Sequence, residues 1–87
     1  MDVQFPAKPG IYTANTTVAF PALIDGEAVT FEVSTEALQD HFEATTAYGP
    51  DLVATFEANR AAIEAVAMAK LPQRLRSGRC LLTSSDF

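Results

Sequence analysis

Eighty-seven residues, 48% of them apolar and 20% charged, carry too much hydrophobic content for a disordered chain and enough for one globular core. A formal charge of −5 argues against general affinity for nucleic acid or anionic membrane, and no apolar run approaches the ~18 residues that span a bilayer. The single cysteine, Cys80, excludes an internal disulfide framework and a multi-cysteine metal site.

These bounds lead to the expectation of one α+β domain over residues 1–87, cytoplasmic, with no membrane association, no metal and no cofactor. The N-terminal stretch carries Asp2, Pro6 and Pro9 and lacks the basic start and apolar run of a signal peptide. A chain this short buries only about 60–65% of its unfolded surface, so a homodimer interface is an expected source of further core.

In chain order, residues 3–5 and Ile11-Tyr12 read as short extended pieces. The clearest local signal follows: residues 17–24 and 27–33 flank Asp25-Gly26, two residues that tolerate the positive φ angles of a type I′ hairpin turn. That turn pairs Ile24 with Glu27, Ala22 with Val29, Phe20 with Phe31 and Val18 with Val33. Period-two patterning therefore puts an apolar set on one face, and a register slip would expose it. Pro21 lacks an N–H and falls at a non-hydrogen-bonded position opposite Thr30, so its missing donor points away from the second strand. The first strand is expected to be an edge, or bulged, near Pro21.

Ser34 is an N-cap candidate, with Glu36 in the first helical turn and Leu38 and Phe42 on one face. This predicts a helix over 35–43. Pro50 and Asp51 open a second, in which Leu52, Phe56, Ile63, Val66 and Ala67 recur at helical spacing. Glu57, Arg60 and Glu64 are spaced for surface ion pairs, and Pro72 is expected to end the helix near residue 70. Residues 79–83 read as a last strand. The expected architecture is a two-layer α+β fold, with a three- to four-stranded antiparallel sheet and two helices, near 35–43 and 50–70, packed on one face. The expected core is Val18, Phe20, Val29, Phe31, Val33, Leu38, Phe42, Leu52, Phe56, Ile63, Val66 and Leu82.

Four segments resemble a known family when taken together. They are residues 20–27 (FPALIDGE), residues 36–42 (EALQDHF), residues 56–60 (FEANR) with Ile63-Glu64, and residues 81–87 (LLTSSDF). In this order and spacing the chain resembles the small bacterial domain-of-unknown-function family 1488, over nearly its whole length. The resemblance implies a short bacterial α+β protein; it brings no activity, cofactor or catalytic residue with it. Residues 71–78 do not match the family's pattern.

Charge is unevenly distributed. Residues 1–43 hold seven acids and one base, whereas residues 44–87 hold four acids and five bases. Lys70, Arg74, Arg76 and Arg79 form a basic cluster. It is read either as a contact for phosphate or an acidic partner, or as a solvated helix end favoured by the helix dipole. Asn59 falls in the middle of the long helix's apolar stripe, where an amide costs roughly 1–3 kcal/mol unless hydrogen-bonded. It is read as a tie to nearby backbone, in the hairpin or C-terminal segment, or else as a ligand or partner contact. His41 adjoins Asp40, but neighbours on a helix point about 100° apart, so the pair makes no proton relay. Cys80 is read as a buried thiol, and Phe87 as docking on the core.

Three functions from different classes remain. The leading one is a non-enzymatic protein-interaction module, self-associating or contacting an unknown protein partner. The second is a weak nucleic-acid-binding or regulatory protein that uses the basic 70–79 segment, with nucleic acid the less expected partner given the net charge. The third is an enzyme built on Cys80 and His41.

Overall fold

The computed structural model describes residues 2–74 and 79–87, of which residues 71–74 and 79 are described by backbone alone. Arg76 therefore lies outside the described residues. Five strands and three helices follow one another: β1 (Val3–Gln4), β2 (Ile11–Tyr12), β3 (Thr17–Ile24), β4 (Glu27–Ser34), α1 (Thr35–His41), α2 (Gly49–Ala58), α3 (Arg60–Arg74) and β5 (Arg79–Leu82). A short 3-10 turn, Ser84–Asp86, comes last. The sheet runs β1-β3-β4-β5, with β2 also paired to β3. The fold is α+β, and the sheet is mixed.

The hairpin has the register its turn dictates, from Thr17 opposite Ser34 to Ile24 opposite Glu27. Asp25 and Gly26 take φ angles of 51° and 85°. Beyond β3 the sheet continues in two separate pieces. β1 pairs with Leu23 and Ile24, and β2 pairs with Val18 and Ala19. Pro21 sits in the interval between them, where no N–H is required of it. The proline thus divides one neighbour of β3 into two short strands.

Strand β5 is the principal departure from the expected antiparallel sheet, because it runs parallel to β4, with Phe31 opposite Cys80 and Val33 opposite Leu82. Parallel neighbours need a long crossover, and α1, α2 and α3 all lie within it. Hydrophobic patterning of a four-residue strand carries no information on direction.

The core is formed by Val18, Phe20, Ala22, Ile24, Val29, Phe31, Val33, Cys80 and Leu82 from one side of the sheet, together with Ala37, Leu38, Leu52, Phe56, Ile63 and Ala67 from the helices. Phe42 and Val66, expected inside, are half-buried instead. Ala37 and Ala67, absent from the expected core, are fully buried beside Leu38, Leu52, Phe56 and Ile63. Phe20 stacks on Phe31 at 5.5 Å between ring centroids and meets Phe56 at 4.9 Å. Phe5 closes the group, 6.3 Å from Phe20 and 6.1 Å from Phe31. Such pairs contribute about 0.5–1.5 kcal/mol each beyond their burial.

The chain between β1 and β2 crosses this cluster at Gly10, which is buried. A β-carbon there would lie 2.8 Å from both the Phe56 ring and a Val18 methyl. Only glycine lets the backbone pass so close.

Strand β4 turns directly into α1. Ser34 is at once the last strand residue and the N-cap, its hydroxyl accepting from the Ala37 N–H at 3.1 Å. The helix stops where Phe42 and Ala44 both donate to the Leu38 carbonyl and Glu43 takes a left-handed φ of 63°. The single long helix expected over 50–70 is divided at Asn59, and α3 runs on to Arg74, past Pro72. A proline disfavours the helical conformation in the residue before it without forbidding it, and so close to a terminus it removes only one hydrogen bond.

Two substitutions test these backbone requirements. Glu43→Gly relieves the left-handed strain at the end of α1 and raises unfolding free energy by about 0.5–1 kcal/mol. The measurement is urea denaturation with an unchanged m-value. Gly10→Ala forces the Phe56 and Val18 side chains to shift and lowers stability by about 1–3 kcal/mol. A Gly10→Ala protein with an unaltered midpoint would mean that the crossing is looser than the geometry requires.

Candidate functional site

Each residue singled out from the sequence except Arg76 has a defined place. Asn59 is the C-cap of α2, with φ −121° and ψ 18°. Its own N–H bonds the Phe56 carbonyl at 3.1 Å, three residues back, which leaves the Thr55 carbonyl without its usual backbone donor. The Asn59 side-chain amide takes that place, donating to Thr55 at 2.9 Å. The expected bond to the hairpin or the C-terminal segment is not the one made: Asn59 caps its own helix. Phe56 before the break and Ile63 after it are both fully buried.

The basic residues are distributed over two elements. Lys70, half-buried, and Arg74 lie one turn apart on α3, whereas Arg79 opens β5 opposite Thr30. Cys80 is buried on the core side of β5. His41 is exposed at the end of α1, with Nε2 2.8 Å from the Ser84 carbonyl oxygen. The Ser84 hydroxyl donates to Asp40 at 2.6 Å. Phe87 packs edge-on against Phe42 at 5.3 Å, so the C-terminal residues dock on α1 as the terminal phenylalanine led one to expect. Among the described residues no group of three or more His, Cys, Asp and Glu side chains is placed to hold a metal ion.

Sequence spacing identified Glu57, Arg60 and Glu64 only as surface ion pairs, yet they hold the N-terminal segment. Arg60 bonds Glu64 through Nε at 2.9 Å and Glu57 at 3.2 Å. Its remaining guanidinium donors reach the Lys8 carbonyl at 2.7 Å and the Pro6 carbonyl at 3.1 Å. Glu57 accepts the Gly10 N–H at 2.7 Å. The guanidinium carbon also lies 5.2 Å from the centre of the Phe56 ring, within cation–π range. Burial opposes the charge on Arg60, but the bonds to Glu64 and Glu57 outweigh it and raise the pKa. The Gly10 N–H, opposed by partial desolvation and aided by Arg60, holds the Glu57 carboxyl below its usual value of 4.5.

The second side of the sheet is differently furnished. Strand pairing aligns Ile11, Ala19, Glu32 and Leu81 in one row across four strands, with Pro21 and Thr30 in the next. Ile11 is 67% exposed and Leu81 48%. Between them Glu32 is buried and accepts the Thr17 hydroxyl at 2.6 Å, which in turn lies 2.7 Å from the Thr13 hydroxyl. A shallow groove of about 190 Å³ runs beside Pro9, Ile11 and Pro21. The arrangement can offer apolar contact at both ends of a row whose centre is polar but internally satisfied.

The sequence profile of the protein of unknown function family DUF1488 matches residues 3–82, and the chain belongs to that family. No curated protein and no solved structure matches the chain.

Glu57→Gln tests the clamp through pH. Because the folded carboxyl titrates below its unfolded value, its stabilisation is complete above pH 4.5 and is lost as pH falls through the lowered folded pKa. The variant is therefore less stable than wild type at neutral pH, and the two converge on acidification. Denaturant unfolding at a series of pH values reads this; a gap that stays constant into strong acid would assign the loss to packing rather than charge.

Proposed function

We propose that the protein is a small non-enzymatic interaction module of the bacterial cytoplasm, contacting a partner protein and a second copy of itself through the second side of its sheet. The supporting observation is the row in which Ile11 and Leu81 stand exposed, 67% and 48%, on a surface carrying half-buried Ala19, Pro21 and Leu23. Exposed large apolar residues aligned on one rigid surface are what an interface core is made from.

The area of the chain bears on how tight such an association is. Its accessible surface of 4975 Å² equals the roughly 5,000 Å² expected of a compact monomer of this mass. An area of this size fits a chain that closes its own core, which supports a reversible rather than an obligate association. The chemistry of the alternatives is less favoured: Cys80 is buried and His41 is engaged by Ser84. The basic residues stand in a chain of net charge −5. No helix among the described residues is long and apolar enough to cross a membrane.

The test pairs sedimentation analysis with affinity capture from bacterial lysate, comparing wild type with an Ile11→Asp/Leu81→Asp variant. The expected result is concentration-dependent self-association and captured protein for wild type, with both weakened at least tenfold in the variant, about 1.4 kcal/mol. A wild-type chain that stays monomeric at every concentration and captures no protein would overturn the reading. Capture of nucleic acid that falls steeply with added salt would replace it with the basic-segment alternative.

A further inference from the structure

A cleft of about 470 Å³ opens at the end of the sheet where β4 and β5 finish side by side and β3 begins. Its volume lies within the range of small-molecule sites. The cleft lies at the carboxyl ends of the parallel pair β4 and β5. Asn15 and Thr16 form one wall, from the turn between β2 and β3. Glu36, in the first turn of α1, forms another. Thr83 and Ser85 follow from the segment after β5, and Leu81 supplies the apolar surface.

The chemistry of this lining is specific. Among the described residues no lysine, arginine or histidine contributes to it. Most of the lining residues carry a hydroxyl, carboxamide or carboxylate, and they stand beside one half-exposed leucine. Most of the hydroxyls already have partners: Thr16 donates to the Asn15 carbonyl at 2.6 Å, and Thr83 lies 3.0 Å from the Ser85 hydroxyl. The Asn15 carboxamide and the Glu36 carboxylate have none among the described residues, and both side chains are exposed.

The walls are also held in place. Thr16, a β-branched residue, adopts a left-handed φ of 59°. Its carbonyl accepts both the N–H and the hydroxyl of Thr35, at 3.2 and 2.7 Å, which pins the turn to the start of α1. A strained residue fixed by bonds from a second element is a preorganised wall, and preorganisation lowers the entropy lost on binding.

From these observations we infer that the cleft binds a neutral polyhydroxylated small molecule, a sugar or cyclic polyol. Its adjacent hydroxyls donate to the Glu36 carboxylate and exchange hydrogen bonds with the Asn15 amide, while its C–H face lies on Leu81. A carboxylate with no cation beside it among the described lining residues disfavours anions such as phosphate. A site rich in acceptors favours a ligand that brings several donors. The inference shares Leu81 with the interaction surface, whereas Asn15 and Glu36 lie outside the row that carries Ile11, so their variants test the cleft alone.

The experiment is an amide-resolved NMR titration of the full chain with D-glucose and myo-inositol, run against inorganic phosphate and putrescine. The expected result is saturable shifts for at least one polyol, confined to the amides of Asn15, Thr16, Glu36, Leu81 and Thr83. Glu36→Gln and Asn15→Ala should each weaken binding about tenfold. Both positions are exposed, so a dispersed spectrum elsewhere certifies that each variant is folded, and Glu36→Gln leaves the shape of the cleft unchanged. Absence of saturable shifts with either polyol would overturn the inference. So would wild-type affinity in both variants, or saturation by phosphate or putrescine alone.

Discussion

The passage of the chain across the Phe56 ring at Gly10 is the constraint on which the other parts of this structure depend. The segment between β1 and β2 must cross the aromatic cluster to place two strands on the same side of β3, and there is no space for a side chain where it crosses. Once the backbone lies there, Phe5 can close over Phe20 and Phe31, and β1 and β2 can occupy the two stretches of β3 on either side of Pro21. The glycine, the ring and the proline are far apart in sequence. They answer one geometric problem, which is how a short N-terminal segment can cover a core without a long strand.

Polar groups on the helices hold that segment in place. Arg60 spreads its donors over two carboxylates and two loop carbonyls, an arrangement suited to a planar, forked guanidinium and not to a lysine ammonium. Glu57 receives the Gly10 N–H that would otherwise be left without a partner at the crossing. The ion pairs are therefore more than surface decoration. A bond to a backbone group from a distant segment orders that segment, whereas an isolated exposed pair contributes little. Asn59 belongs to the same device. By capping α2 it ends one helix and starts the next, so that Phe56 and Arg60 stand on either side of the break.

The sheet's two sides divide the molecule's tasks. One side is consumed by the core. The other presents exposed Ile11 and Leu81, a buried and hydrogen-bonded Glu32, and, at the end where β4 and β5 finish, a cleft lined with hydroxyls. The docked C-terminal residues bound that cleft while fastening to α1 through Ser84, Asp40 and His41. The proposed protein-contact surface and the proposed small-molecule cleft thus share one rigid support, with Leu81 at the border between them.

The hairpin, its register and most of the core could be derived from the sequence, because Asp25-Gly26 selects a turn, the turn fixes the pairing, and period-two alternation then assigns each side chain to a face. The N-cap at Ser34 and the docking of Phe87 were also legible, being local or strongly apolar signals. The amino-acid order could not reveal the parallel direction of β5, since Leu81 and Leu82 look the same read either way and direction follows from the length of the crossover. It did not reveal the break at Asn59 either, because helical periodicity continues through it and only the competition for the Thr55 carbonyl decides the matter. Arg60 announced partners three and four residues away but not Pro6 and Lys8, whose carbonyls come within reach only once the segment has crossed Phe56. The Asn15–Glu36 cleft was invisible for the same reason: its walls come from three elements, and only tertiary folding puts them side by side. Contacts governed by backbone geometry over a few residues are written in the sequence, whereas those that depend on where distant segments cross are decided by the folded chain.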